Sequence, residues 1–232
     1  MMNKGLKSLF PLLAVAIMFG LGFVSQAHAQ RSILPEIMHR MDEHNKSLVS
    51  LKADVKMDKF NSQLGETDTT SGTTSYLPKT AKRVMYVRID WTKPIQEEIV
   101  IIGDAYKLYR PRLNQVITGK VDKSGNKVPG NALAFMSMSQ AQLRANYEVN
   151  YIGQESVSGS NTWHIELIPK TKTSYKNAEL WVDSNGMPIQ AKIIEQNSDS
   201  TTVLLSGLQK NVTINANDFN LVLPKGVKQI QG

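Results

Sequence analysis

Histidines, serines and paired carboxylates are the residues of this 232-residue chain that could carry chemistry, and their spacing argues against most of it. His39 and His44 are five apart in a segment patterned as a helix. That spacing does not put them on one face, so they do not form a two-histidine metal clip. His164 follows Trp163 in a segment patterned as a strand. Ser156, Ser158 and Ser160 lie near Gly153 and Gly159 without the spacing of a nucleophile elbow. Glu97 and Glu98 are adjacent in a predicted strand and point to opposite faces, so they cannot act as an acid/base pair there. Asp183-Ser184-Asn185-Gly186 has the opening of a calcium loop but lacks the further oxygen ligands and the distal glutamate. Asn-Gly between two apolar runs reads instead as a hairpin turn. There is no Gly-rich phosphate loop. There is no cysteine, which removes disulfides, thiol chemistry and a cysteine to be lipidated. These residues predict no enzyme, no metal and no cofactor.

The formal net charge is +7. Basic residues gather at Lys79/Lys82/Arg83, Arg110/Arg112, Lys120/Lys123/Lys127 and Lys170/Lys172/Lys176. These groups fall mostly in turns without the interleaved aromatics that a nucleic-acid groove needs, so no nucleic-acid partner is predicted. A basic surface suits acidic partners or anionic lipid surfaces, and serves solubility equally well.

What remains is apolar patterning, and it is strongest from Arg83 to Gly119. Arg83 to Trp91 alternates with a period of two, placing Met85, Val87, Ile89 and Trp91 on one face. Glu97 to Ile102, Ala105 to Tyr109 and Leu113 to Thr118 are further short runs cut by Thr92-Lys93-Pro94, Gly103-Asp104 and Arg110-Pro111. Four strands joined so tightly predict an antiparallel meander. Leu48 to Phe60 is a strand before it, with Leu51, Ala53, Val55 and Met57 inward and lysines and aspartates outward. Asn61 to Gly72 reads as a polar loop and Thr73 to Leu77 as a short strand. Later strands are predicted at Tyr147 to Gln154, Thr162 to Ile168, Ala178 to Val182, Pro188 to Glu195, Thr201 to Leu208 and Asp218 to Val222. Two helices are predicted. Ser32 to Lys46 has Ser32 as its cap, Pro35 in its first turn and a stripe of Ile33, Leu34, Ile37, Met38 and Met41. Asn131 to Ala145 carries Leu133, Phe135, Met136 and Met138. Val121 to Gly130 is a loop.

The chain opens with Lys4 and Lys7, an apolar run from Leu9 to Val24 broken by Pro11, Gly20 and Gly22, and Ala27-His28-Ala29. This is the pattern of a cleavable export signal, giving residues 1–29 as signal peptide and Gln30 as the mature N-terminus. Residues 30–232 then form a single domain.

The order of these pieces resembles the periplasmic outer-membrane lipoprotein carriers, the LolA-like family. The residues that carry the resemblance are an aromatic ending a strand at Trp91, Thr92-Lys93-Pro94, an Ile-Val run, Gly103-Asp104, Leu108-Tyr109-Arg110-Pro111 and Asn114-Gln115-Val116. It continues through Leu167-Ile168-Pro169-Lys170 and Phe219 to Val227. The resemblance implies a mainly β fold, a curved, unclosed antiparallel barrel with helices over its concave face and an apolar cavity for acyl chains. It implies a soluble periplasmic chaperone, monomeric, that moves lipoproteins toward the outer membrane. Its partners would be an inner-membrane lipoprotein-releasing transporter and an outer-membrane receptor. The alternative is an envelope lipid- or protein-binding or sensing module of the same fold without transfer. Alternation and the resemblance together place Leu51, Val55, Met85, Val87, Ile89, Trp91, Ile99 and Ile101 in the cavity, with Phe135 and Met138 from the helical lid. The family's lid-latching arginine lies six positions before the aromatic and precedes a proline. Met85 holds that place here without a following proline. Parity makes Arg83 the latch candidate and turns Arg88 outward.

Overall fold

Alternating side chains dictate a sheet with one apolar face, and a sheet is what forms. The computed structural model describes residues 25–121 and 136–232, with side chains from residue 33 onward. The sheet contains β1 (Leu51–Asn61), β2 (Glu66–Leu77), β3 (Tyr86–Lys93), β4 (Glu97–Ile102), β5 (Ala105–Arg110), β6 (Gln115–Lys120), β7 (Tyr147–Val157), β8 (Ser160–Pro169), β9 (Tyr175–Asp183), β10 (Pro188–Glu195), β11 (Ser200–Lys210) and β12 (Lys228–Gln231). Its order is β12-β6-β5-β4-β3-β2-β1-β11-β10-β9-β8-β7. Two antiparallel meanders, β1–β6 and β7–β11, thus meet where β1 pairs with β11. At one edge β12 pairs with β6 in parallel.

Twelve flat strands would span about 50 Å at the usual spacing, too wide for both ends to meet one helix. Yet Leu108 of β5 and Ile165 of β8 share a core with Ile37, Met38 and Met41 of α1 (Ser25–Ser47). The sheet is therefore curved into an unclosed barrel, with α1 and α2 (Gln140–Asn146) over its concave face.

Several expectations fail for physical reasons. The Thr- and Ser-rich stretch read as a polar loop is most of β2. Asn61 Oδ1 accepts from Gln63 N and Leu64 N, both at 3.0 Å, and folds the chain straight back. Thr is a good strand residue, and with little of β2's first half buried, alternation could not reveal it. The helix expected from Ser32 is already formed at Ser25, where the described residues begin, so Ser32 and Pro35 lie inside it, and neither marks its start. The second helix does not run unbroken to Ala145. Residues 137–139 are non-helical, and α2 starts afresh from Ser139, whose Oγ accepts from Gln142 N while its own N donates to Gln142 Oε1. Leu113 is not in a strand, because Pro111–Leu113 forms a 3₁₀ turn ended by left-handed Asn114 (φ 45°). Asp218 to Val222 is not a strand either. Ala216–Phe219 is a 3₁₀ turn laid on the convex face, where Phe219 is buried with Leu77 and Val100. Most of the expected signal peptide, Phe135 and nearly all of the expected Val121–Gly130 loop lie outside the described residues.

Candidate functional site

Leu34, Ile37, Met38, Met41, His44 and Leu48 recur at helical spacing, carrying one stripe of α1 and its exit onto the concave face. Where that stripe crosses β1–β4, the side chains stop short of meeting and leave a cavity of about 190 Å³. Its floor is Leu51, Met85, Val87, Ile89 and Ile101, and its roof is His44, Asn45 and Leu48. Thr74 and Tyr76 of β2, Gly103, Val121, Met136, Ser137, Met187 and Leu205 complete it.

Five of the predicted cavity residues, Leu51, Met85, Val87, Ile89 and Ile101, therefore meet in one wall. Val55, Trp91 and Ile99 are buried in the same core but do not line the cavity, because they lie further along their strands, where the space is filled. Met138 packs half-buried on the core, and its carbonyl accepts from Asn45 Nδ2 at 3.1 Å. Sequence reasoning missed His44, Asn45, Thr74, Tyr76, Met187 and Leu205. The signal for His44 was present, three positions after Met41 on the apolar stripe.

One wall of the cavity is polar. The Tyr76 hydroxyl is pushed above its ordinary pKa by burial, against a hydrogen bond with Ser137. Thr74 Oγ1 donates to Arg88 O at 3.0 Å. His44 is only 7% exposed, and its Nε2 has no hydrogen-bond partner among the described residues. Burial and the charge of Lys210 hold its imidazole below the usual pKa, against the pull of Asp183, so the ring is neutral at neutral pH. Among the described residues no group of His, Asp and Glu converges as metal ligands.

Arg83 precedes β3 in a tight turn closed by the Thr80–Arg83 bridge, and its Nη2 donates to Pro78 O at 3.3 Å. Among the described residues its hydrogen bond goes to its own loop and not to the helices. The strand begins three residues later than the alternation suggested, so parity counted back from Trp91 does not reach it. Arg88, on the outer face, bonds Asp90, Glu98 and the carbonyls of Asp218 and Asn220. The arginine that joins helix to sheet is Arg40, on α1 itself. Its Nη1 donates to Ser184 O at 2.9 Å, and its guanidinium lies 5.3 Å from the Trp163 ring centroid. Gly186 packs against the Arg40 backbone so closely that a Cβ would collide with it. Gln140 N donates to Asp42 Oδ1 at 2.9 Å and binds α2 to α1.

A family model described as the outer membrane lipoprotein carrier protein LolA matches residues 48–222, well over half of the chain. The chain belongs to the LolA family. The outer-membrane lipoprotein carrier protein of Pseudomonas fluorescens strain Pf-5 is 24% identical over 143 residues, covering 61% of this chain and 65% of that protein. The chain thus spans somewhat less than two thirds of that relative's length. Two solved structures share the fold. An uncharacterized conserved protein from Thermus thermophilus matches with a TM-score of 0.55 at 12% identity, over 86% of this chain and 99% of that one. MucB matches with a TM-score of 0.54 at 11% identity, over 86% of this chain and 66% of that one. The LolA-family match includes β1–β11 and the whole sheet side of the cavity, while α1 lies before it.

Proposed function

We propose that this protein is a soluble periplasmic carrier that shields acyl chains of lipoproteins in the cavity beneath α1 and moves them toward the outer membrane. In this reading the leader is cleaved after Ala29. The exported monomer takes cargo from an inner-membrane transporter and yields it to an outer-membrane receptor. The observation that carries the reading is an apolar space left open between helix and sheet in a chain of the LolA family. Each CH₂ moved from water into such a space stabilises by about 0.8 kcal/mol, which is what a carrier must offer to draw an acyl chain off a membrane. At about 190 Å³ the space is smaller than the roughly 300–1,000 Å³ of ordinary ligand pockets. Cargo therefore enters as α1 lifts. The contacts that resist lifting are Arg40 to Ser184, the Gly186 packing, and the Asp42 and Asn45 bonds to the 138–140 segment.

The test is organic extraction of the purified protein with mass spectrometry of what comes off, followed by transfer of a triacylated lipoprotein from the protein to vesicles. Co-purified acyl lipid and measurable transfer are expected. Bound lipid without transfer would favour the binding-module alternative, and neither would overturn the reading.

A further inference from the structure

The polar wall of the cavity is unequal in its hydrogen bonding. Asn45 Nδ2 donates to the Met138 carbonyl, Thr74 donates to the Arg88 carbonyl, and the Tyr76 hydroxyl is bonded with Ser137. His44 differs. The residue lines the cavity and is buried, and its Nε2, enclosed in the closed structure, has no partner among the described residues. Buried polar groups in folded proteins are nearly always bonded, and one left unmade calls for a reason. A purely apolar ligand site would place leucine or methionine here, as it does at Leu48 on the same stripe.

We infer that the cavity recognises the neutral carbonyl of an acyl ester or amide, with His44 as the residue that bonds it beside the apolar floor. This rests on the carrier reading and names the part of the ligand that it leaves open. The groups that face the imidazole electrostatically are Lys210 on β11 and Asp183 at the end of β9. Burial and Lys210 favour the neutral ring, which has one N–H to give and one lone pair. A neutral ring donates to an ester or amide carbonyl oxygen. It offers no counter-charge to a carboxylate, whose burial without one is costly. The site therefore discriminates in two steps. It prefers an acyl carbonyl over a bare alkane, and a neutral carbonyl over a fatty-acid anion.

The test is displacement of an apolar fluorescent probe from the purified protein at pH 7.5 by methyl palmitate, palmitate and hexadecane, in the parent, His44→Leu and His44→Gln proteins. The parent should bind methyl palmitate about tenfold more tightly than hexadecane, the scale of one hydrogen bond, and palmitate more weakly than the ester. His44→Leu should lose the preference for the ester over hexadecane. His44→Gln, which keeps a donor, should retain part of it. Equal binding of ester and alkane by the parent would overturn the inference while leaving the carrier reading intact. So would an ester preference that survives in His44→Leu, or tighter binding of palmitate than of the ester. If the parent binds none of the three, the carrier reading itself fails.

Discussion

Arg88 sits on the convex face of β3 and donates to two carboxylates, Asp90 and Glu98, and to the carbonyls of Asp218 and Asn220. Removing it leaves the two carboxylates beside each other and unties the 3₁₀ turn that carries Phe219. Arg88→Leu should therefore cost about 2 kcal/mol, read as a lower urea midpoint, with faster amide exchange confined largely to residues 214–221. Parity turned Arg88 outward, as the structure does, but parity cannot show what lies outside. His164 makes a different prediction. Burial works to lower its pKa, but the carboxylates of Glu179, 3.4 Å from Nε2, and Glu155, hydrogen-bonded to Nδ1 at 2.9 Å, raise it overall. The ring also stacks on Trp181 at 4.2 Å. A histidine whose folded pKa lies above its unfolded value, about 6.5, stabilises fully below that pH and loses the contribution as pH rises through the folded pKa. The urea midpoint should accordingly fall between pH 6.5 and the alkaline side of the folded pKa, and His164→Leu should flatten that slope. His44 has the opposite sign. Its depressed pKa means stability lost as pH falls below about 6.5, since the unfolded chain takes up the proton first. The stripe could announce that His44 is buried, which is the main cause of its shift, but no spacing could announce the role of His164, which depends on Glu155 and Glu179 brought to the ring by β7 and β9.

Among the elements, α1 illustrates what a pattern conveys and what it omits. The stripe of Ile37, Met38 and Met41 was readable, and all three are fully buried. The start of the helix was not, since no proline, glycine or cap separates Ser25 from Ser32 to stop it. How the helix is held was also hidden. Gly186, in the Asp183–Gly186 turn identified from Asn-Gly, adopts φ +80° and abuts the Arg40 backbone. The turn was legible, but its role as the seat of the helix was not. Gly186→Ala must strain the left-handed backbone and push against α1. A loss of about 1–3 kcal/mol is expected, with faster uptake of an apolar dye because the helix is displaced. A normal urea midpoint with unchanged uptake would show that the helix is seated elsewhere. The strands of the central meander were located nearly to the residue where an apolar run is bounded by clear turn residues, as in β4. They were missed where a strand is largely solvated, as in the first half of β2, or where proline chemistry intervened, as at Pro111.

For the molecule as a whole, strand order matters more than strand count. Pairing β1 with β11 joins the chain's two meanders across a separation of at least 140 residues, that of Phe60 and Ser200, so folding must close a long loop before that pairing rewards it. Cavity residues come mainly from the first meander, with Met187 and Leu205 from the second. The resemblance and the alternation both pointed to the first and left the second unassigned. α1 runs through Leu48–Ser50 into β1 of the first meander, while Arg40 grips Ser184, Gly186 and Trp163 of the second. The helix is thus a strut between the two halves of an open ring. Lifting it releases the brace that helps hold the ring's curvature, and a wider ring in turn moves the strut's footing away. Under the proposed carrier function, gate and wall open in one motion, so a ligand that spreads the sheet should raise amide exchange at residues 183–187 and in α1 together, and protection that changes at only one of them would show the two to be independent.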